Sequence, residues 1–76
     1  MSSNSLNLEK QTHIKQLVLG AFPKVSASTL DSYVEVVARK PQDAIDILAA
    51  TSKDTSTRNA ADKVTSEVMR YLILNR

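Results

Sequence analysis

Few side chains in this chain could do chemistry, and they lie far apart. The one histidine, His13, has no second histidine and no cysteine with which to complete a metal site. Asp43 and Asp46 are spaced i, i+3, but carboxylates near the start of a predicted helix are ordinary partners of its dipole. The chain has neither a glycine-rich phosphate loop nor a serine, histidine and acid set at a known spacing. The sequence therefore predicts a noncatalytic protein with no cofactor and no metal.

The composition indicates one small globular domain. With 76 residues, 42% of them hydrophobic and 24% charged, the chain can build a single modest core. No stretch approaches the roughly eighteen consecutive apolar residues of a membrane span. Residues 1–7 lack the basic start and apolar run of a secretory signal and are predicted to be a flexible tail. The absence of cysteine fits a reducing compartment, so we expect an intracellular protein, cytoplasmic or nuclear.

Charges of both signs are interspersed along the chain. Ten basic and eight acidic residues give a net charge of +2, and acids stand beside bases throughout. A protein that neutralised many phosphates would cluster Lys and Arg on one face. A helix-turn-helix built from the second and third predicted helices is a third hypothesis, against which the acids Asp43 and Asp46 on the recognition helix argue. The sequence favours a protein partner over nucleic acid.

The first two amphipathic segments have recognisable starts. The first helix is predicted from Leu8 to Leu19, with Asn7 as its N-cap and Gly20 as a left-handed terminator. The second is predicted to begin near Ser28, as a cap three residues before an acid, and to end by about residue 39, ahead of a proline.

Two further segments complete an all-α prediction. Pro41 starts a third helix that runs to about Thr51, since proline suits the first helical position. Residues 52–57 carry mostly hydroxyl groups and predict a loop, with a phosphorylation site as an alternative. A last helix is predicted over residues 58–76. Its Leu72–Leu74 run is predicted to extend the core face, and the secondary interpretation is an interface with a partner or a second copy. Helical spacing predicts these apolar positions to be buried: Ile14, Leu17, Val18, Ala21, Leu30, Tyr33, Val34, Val37, Ala38, Ala44, Ile45, Ile47, Leu48, Ala61, Val64, Val68, Tyr71 and Leu72.

An apolar elbow, Ala21, Phe22 and Pro23, separates the first two helices. This elbow, with Leu30 opening the second helix and Ala44, Ile45 and Leu48 on the third, resembles the CUE domain, a small ubiquitin-binding fold related to UBA. The resemblance covers residues 14–51.

The resemblance implies a ubiquitin-binding surface. In CUE domains a Met-Phe-Pro motif ends the first helix and a Leu-Leu pair closes the third, and together they grip the hydrophobic patch of ubiquitin. Phe22 and Pro23 match that motif and Ala21 stands in place of Met, whereas Leu48 matches the first leucine and Ala49 stands in place of the second. These five residues are the protein-binding residues that the resemblance implies.

The combined expectation is a UBA/CUE-like three-helix bundle over residues 8–51, followed by a loop and an additional C-terminal helix. Its expected function is to bind ubiquitin or a ubiquitin-like protein. The alternative is a helical assembly domain that docks a different protein within a larger complex, through the altered elbow or the last helix. A plainer interpretation also stays open, in which Phe22 and Pro23 only end and pack the first helix.

Overall fold

The computed structural model describes residues 7–75, which form four helices and no strand. They are α1 (Leu8–Ala21), α2 (Ala27–Val37), α3 (Pro41–Ala49) and α4 (Thr55–Leu74). The prediction of an all-α chain with four helices is confirmed. The tail predicted over residues 1–7 lies outside the described residues except for Asn7, and so does Arg76 at the other end.

Both ends of α1 are set by residues close in sequence. The side-chain oxygen of Asn7 accepts a hydrogen bond from the backbone N–H of Lys10 at 2.8 Å, which confirms the predicted N-cap. The prediction for Gly20 is wrong, because Gly20 lies inside the helix and no residue from 7 to 75 has a positive φ. Instead Pro23 disfavours helical geometry in Phe22, which leaves the helix at φ −129° and ψ 71°.

The N-cap of α2 is Ser26, and the prediction of Ser28 is wrong by two residues. Ser26 has extended backbone angles, and its Oγ accepts from the backbone N–H of Thr29 at 3.1 Å. The same Oγ lies 2.9 Å from the Thr29 hydroxyl, which gives it a second partner. Ser28 lies within the first turn, where its own backbone is already helical.

The connection between α3 and α4 is shorter than predicted. Pro41 is the first residue of α3, as expected, and the helix ends at Ala49, where the Thr51 hydroxyl donates to the carbonyl of Leu48 at 2.7 Å. α4 begins at Thr55, so the hydroxyl side chains at residues 55–57 form its first turn rather than a loop. Hydroxyl residues suit the first turn of a helix because the backbone N–H groups there are unpaired.

The four helices pack in a ring. α1 contacts α2 and α4, and α3 contacts the same two helices, whereas within residues 7–75 no comparable contact joins α1 to α3. The last helix therefore lies between α1 and α3 and belongs to the core. One contiguous cluster of buried apolar residues fills the ring: Ile14, Val18, Leu30, Tyr33, Val34, Val37, Ala44, Ile45, Leu48, Ala61, Val64 and Val68.

The burial pattern departs from the predicted stripes at helix ends. Ala21 and Ala38 are exposed, because each lies where its helix leaves the core. The predicted buried residues Leu17, Ile47, Tyr71 and Leu72 are only half-buried.

A polar pair, Tyr33 and Thr65, lies inside the apolar core. Their hydroxyl oxygens are 2.9 Å apart and link α2 to α4. Burial raises the pKa of the Tyr33 phenol, an effect that the hydrogen bond with Thr65 partly opposes. The phenol therefore stays protonated at neutral pH. The sequence did not predict that Thr65 is buried.

Two exposed ion pairs join neighbouring helices at the surface. Lys15 pairs with Asp31 between α1 and α2, and Arg58 pairs with Asp46 between α4 and α3, each at 3.1 Å. Exposed pairs of this kind stabilise a fold by about 0–1 kcal/mol, so they contribute little to the stability of this one. None of the helices described is long and apolar enough to cross a lipid bilayer.

Candidate functional site

The residues with reactive groups serve packing and surface pairing. The His13 ring stacks on Tyr71, with ring centroids 4.1 Å apart and planes at 26°, and thereby joins α1 to α4. Asp46 forms an exposed ion pair with Arg58 of α4. Over residues 7–75, no three His, Cys, Asp or Glu side chains lie close enough together to hold a metal ion.

A shallow groove runs between the elbow and the start of α4, and we call it the elbow groove. One wall is the elbow and the beginning of α2, and the other is the chain after α3 together with the first turns of α4. Its lining comprises Ala21, Phe22, Pro23, Lys24, Val25, Ser26, Thr29, Thr51, Ser56, Thr57 and Ala60. The elbow and the chain just after α3 therefore share one side of the molecule.

The three elbow residues that the sequence singled out differ in exposure. Ala21 and Pro23 are exposed, and Phe22 is half-buried and packs against the core cluster. The Phe22 ring therefore fixes the end of α1 and also contributes to the groove. The packing interpretation of Phe22 therefore agrees with the structure, and its contact with a partner stays a prediction.

The two residues predicted at the end of α3 do not join the elbow at the surface. Leu48 is 0% exposed and lies in the core, so its side chain cannot touch a partner in this conformation. Ala49 is half-buried and lines a separate depression with the α3–α4 connection and Arg58. Thr51 is the residue that this region contributes to the elbow groove.

Sequence reasoning missed the wall that α4 supplies. Ser56, Thr57 and Ala60 face the elbow, although residues 52–57 were predicted to be a loop. The sequence signal for this helix start is weak, because a run of hydroxyl residues favours helix starts and loops alike. The groove offers small apolar surfaces flanked by hydroxyl groups and one cation, Lys24.

A second, more apolar groove lies between α3 and the C-terminal half of α4, and we call it the distal groove. It is lined by Pro41, Ile45, Asp62, Thr65, Ser66, Met69, Arg70, Ile73 and Leu74. Ile73 and Leu74 are 55% and 77% exposed, so only Leu72 of the predicted Leu72–Leu74 core run is turned towards the core.

Comparisons of the chain with protein-family models, curated protein sequences and solved structures find no match. The resemblance to CUE domains therefore stays a prediction.

Proposed function

We propose that this chain is a noncatalytic protein-interaction module that binds ubiquitin or a ubiquitin-like protein at the elbow groove. The observation that carries the proposal is the shared lining of that groove by Ala21, Phe22, Pro23 and Thr51. A CUE-type contact needs the end of the first helix and the end of the third on one side of the molecule. This groove contains the end of α1 and Thr51, which lies two residues beyond the end of α3.

The apolar surface of the groove supports a weak and transient contact. Ala21 presents a methyl group where CUE domains carry methionine, and each missing methylene withholds about 0.8 kcal/mol of apolar burial. Small interfaces of this kind belong to transient encounters. We therefore expect a Kd between about 1 μM and 1 mM.

The wall formed by α4 favours the second candidate function. Because Thr57 and Ala60 line the groove, any partner that enters it also contacts α4. A surface shaped in this way also suits an assembly domain that docks a protein other than ubiquitin within a larger complex.

The test is a titration of isotope-labelled chain with unlabelled ubiquitin, followed by the NMR amide signals. We expect shifts at residues 21–24, at Thr51 and at residues 57–60, with the distal groove unaffected. Ala21→Glu should weaken binding at least about tenfold because it buries an unpaired charge. Ala21→Met should tighten binding, because it adds apolar contact area without touching the core.

The matched control is Ala38→Glu, which makes the same change at an exposed alanine outside the elbow groove and should bind like the parent chain. If the amide signals of the elbow-groove residues do not shift at millimolar ubiquitin, the ubiquitin proposal is refuted and the assembly function is favoured. Shifts confined to residues 69–74 would refute the assigned surface.

A further inference from the structure

The distal groove presents an acid and a base on one side of α4. Asp62, Ser66 and Arg70 are spaced four residues apart, and all three line the groove and are exposed. Asp62 and Arg70 therefore lie about 6 Å to either side of Ser66 along the helix axis. Neither forms a salt bridge or a side-chain hydrogen bond with another residue in the range 7–75. Both charges are available to a partner.

An occupant of this groove must match that charge order. It has to bring a base opposite Asp62 and an acid opposite Arg70, about 12 Å apart along its axis. The α4 helix of a second copy, placed antiparallel about a two-fold axis at Ser66, meets this requirement. Asp62 of each copy then faces Arg70 of the other, because a two-fold axis pairs residues at equal distances on either side of it.

The side chains around the axis suit close approach of two helices. Ser66 is small and exposed, which allows the two helix axes to come near each other at the crossing. Met69 and Ile73 lie on the α3 side of the row, at the edge of the same groove. A second helix lying over Ser66 therefore shields part of the Ile73 surface, which is 55% exposed in the single chain.

We propose that the chain associates with a second copy of itself through the distal groove, as an antiparallel α4 pair held by two reciprocal contacts between Asp62 and Arg70. This goes beyond the proposed function and uses a different surface. The elbow groove meets α4 at Ser56, Thr57 and Ala60, none of which lines the distal groove.

Sedimentation equilibrium of the full chain, from about 20 μM to about 1 mM at low salt, tests the proposal. The average mass should rise from 8.4 kDa towards twice that value as concentration increases, and the rise should weaken in about 0.5 M salt. A chain that stays monomeric at every concentration would overturn the proposal. The occupant of the distal groove would then be a different molecule.

Charge reversal distinguishes this pairing from other dimers. Asp62→Arg and Arg70→Asp should each weaken self-association about tenfold, because each turns both contacts into repulsion. The double variant carrying both changes should restore association, and so should an equimolar mixture of the two single variants, in which opposite charges face each other again. Circular dichroism confirms that each variant is folded.

Glu67→Arg provides the matched control. It makes the same charge change on the same helix, but Glu67 lines the groove between α1 and α4. Its self-association should equal that of the parent chain. The pairing would be overturned if the single charge reversals left self-association unchanged. It would also be overturned if the folded double variant stayed monomeric. Ubiquitin binding by Asp62→Arg should match the parent chain, so the two proposals succeed or fail separately.

Discussion

At the scale of single residues, the helical spacing of apolar positions does not predict the hydrogen bond between Tyr33 and Thr65. Tyr33 is fully buried and Thr65 is 2% exposed, so neither hydroxyl has water as an alternative partner. The two residues are 32 positions apart in sequence. A buried hydroxyl without a partner costs about 1–3 kcal/mol, and the pair avoids that cost on both sides.

We predict that Tyr33→Phe lowers the free energy of unfolding by about 1–2 kcal/mol, because it leaves the Thr65 hydroxyl buried and unpaired. Thr65→Val should cost a similar amount, and the double variant should cost less than the sum. Urea unfolding measures all three. Tyr71→Phe is the control, since Tyr71 is half-buried and its ring stacking on His13 survives the change. Equal stability of Tyr33→Phe and the parent chain would contradict the role of the pair.

At the scale of elements, the end of α1 shows how two local signals compete. Gly20 is typical of a helix terminator, and Pro23 disfavours helical geometry in the residue before it. The helix passes through Gly20 and ends at Ala21, so proline decides the boundary and glycine is an interior residue. A glycine in a helix is unfavourable because it loses more conformational freedom on folding than any other residue.

Gly20→Ala should therefore raise the free energy of unfolding by about 0.5–1 kcal/mol. A Cβ built at Gly20 meets no atom within 4 Å, so the methyl group adds no clash. Thermal unfolding followed by circular dichroism measures the change. Gly20→Asn is the control, because at a helix C-terminus asparagine is favoured over alanine where the backbone is left-handed, whereas inside a helix alanine is favoured. A ranking of Asn above Ala would show that Gly20 terminates the helix after all.

At the scale of the whole molecule, α4 closes the ring that the first three helices leave open. Its Ala61, Val64 and Val68 are buried in the same cluster as Ile14 and Val18 of α1. Because no comparable contact joins α1 directly to α3 within residues 7–75, the first three helices do not form a closed bundle by themselves.

A chain that ends at Asp54 should lose its cooperative fold. Burying a valine side chain contributes about 1.5–3 kcal/mol, and a domain of this size has only about 3–5 kcal/mol in total, so losing α4 exceeds the available stability. NMR signal dispersion and a thermal melt measure the outcome, with a chain ending at Leu74 as the folded control. A dispersed spectrum and a cooperative melt of the short chain would support an autonomous three-helix module.

The sequence by itself determined the number and type of the elements. Helical spacing of apolar residues, the Asn7 cap and the Pro41 start act over a few neighbouring residues, so they can be recognised without the fold. It also singled out the elbow of Ala21, Phe22 and Pro23, which lines the elbow groove.

Only the tertiary structure decided which residues share a surface. Leu48 and Ala49 are adjacent in sequence, yet one lies in the core and the other in a separate depression, whereas Thr51 and Ala60 meet the elbow. Burial and neighbourhood depend on how distant helices pack against one another. Helical periodicity identifies an apolar face, but it does not specify which helix covers that face. In this fold α4 packs on the apolar faces of α1 and α3.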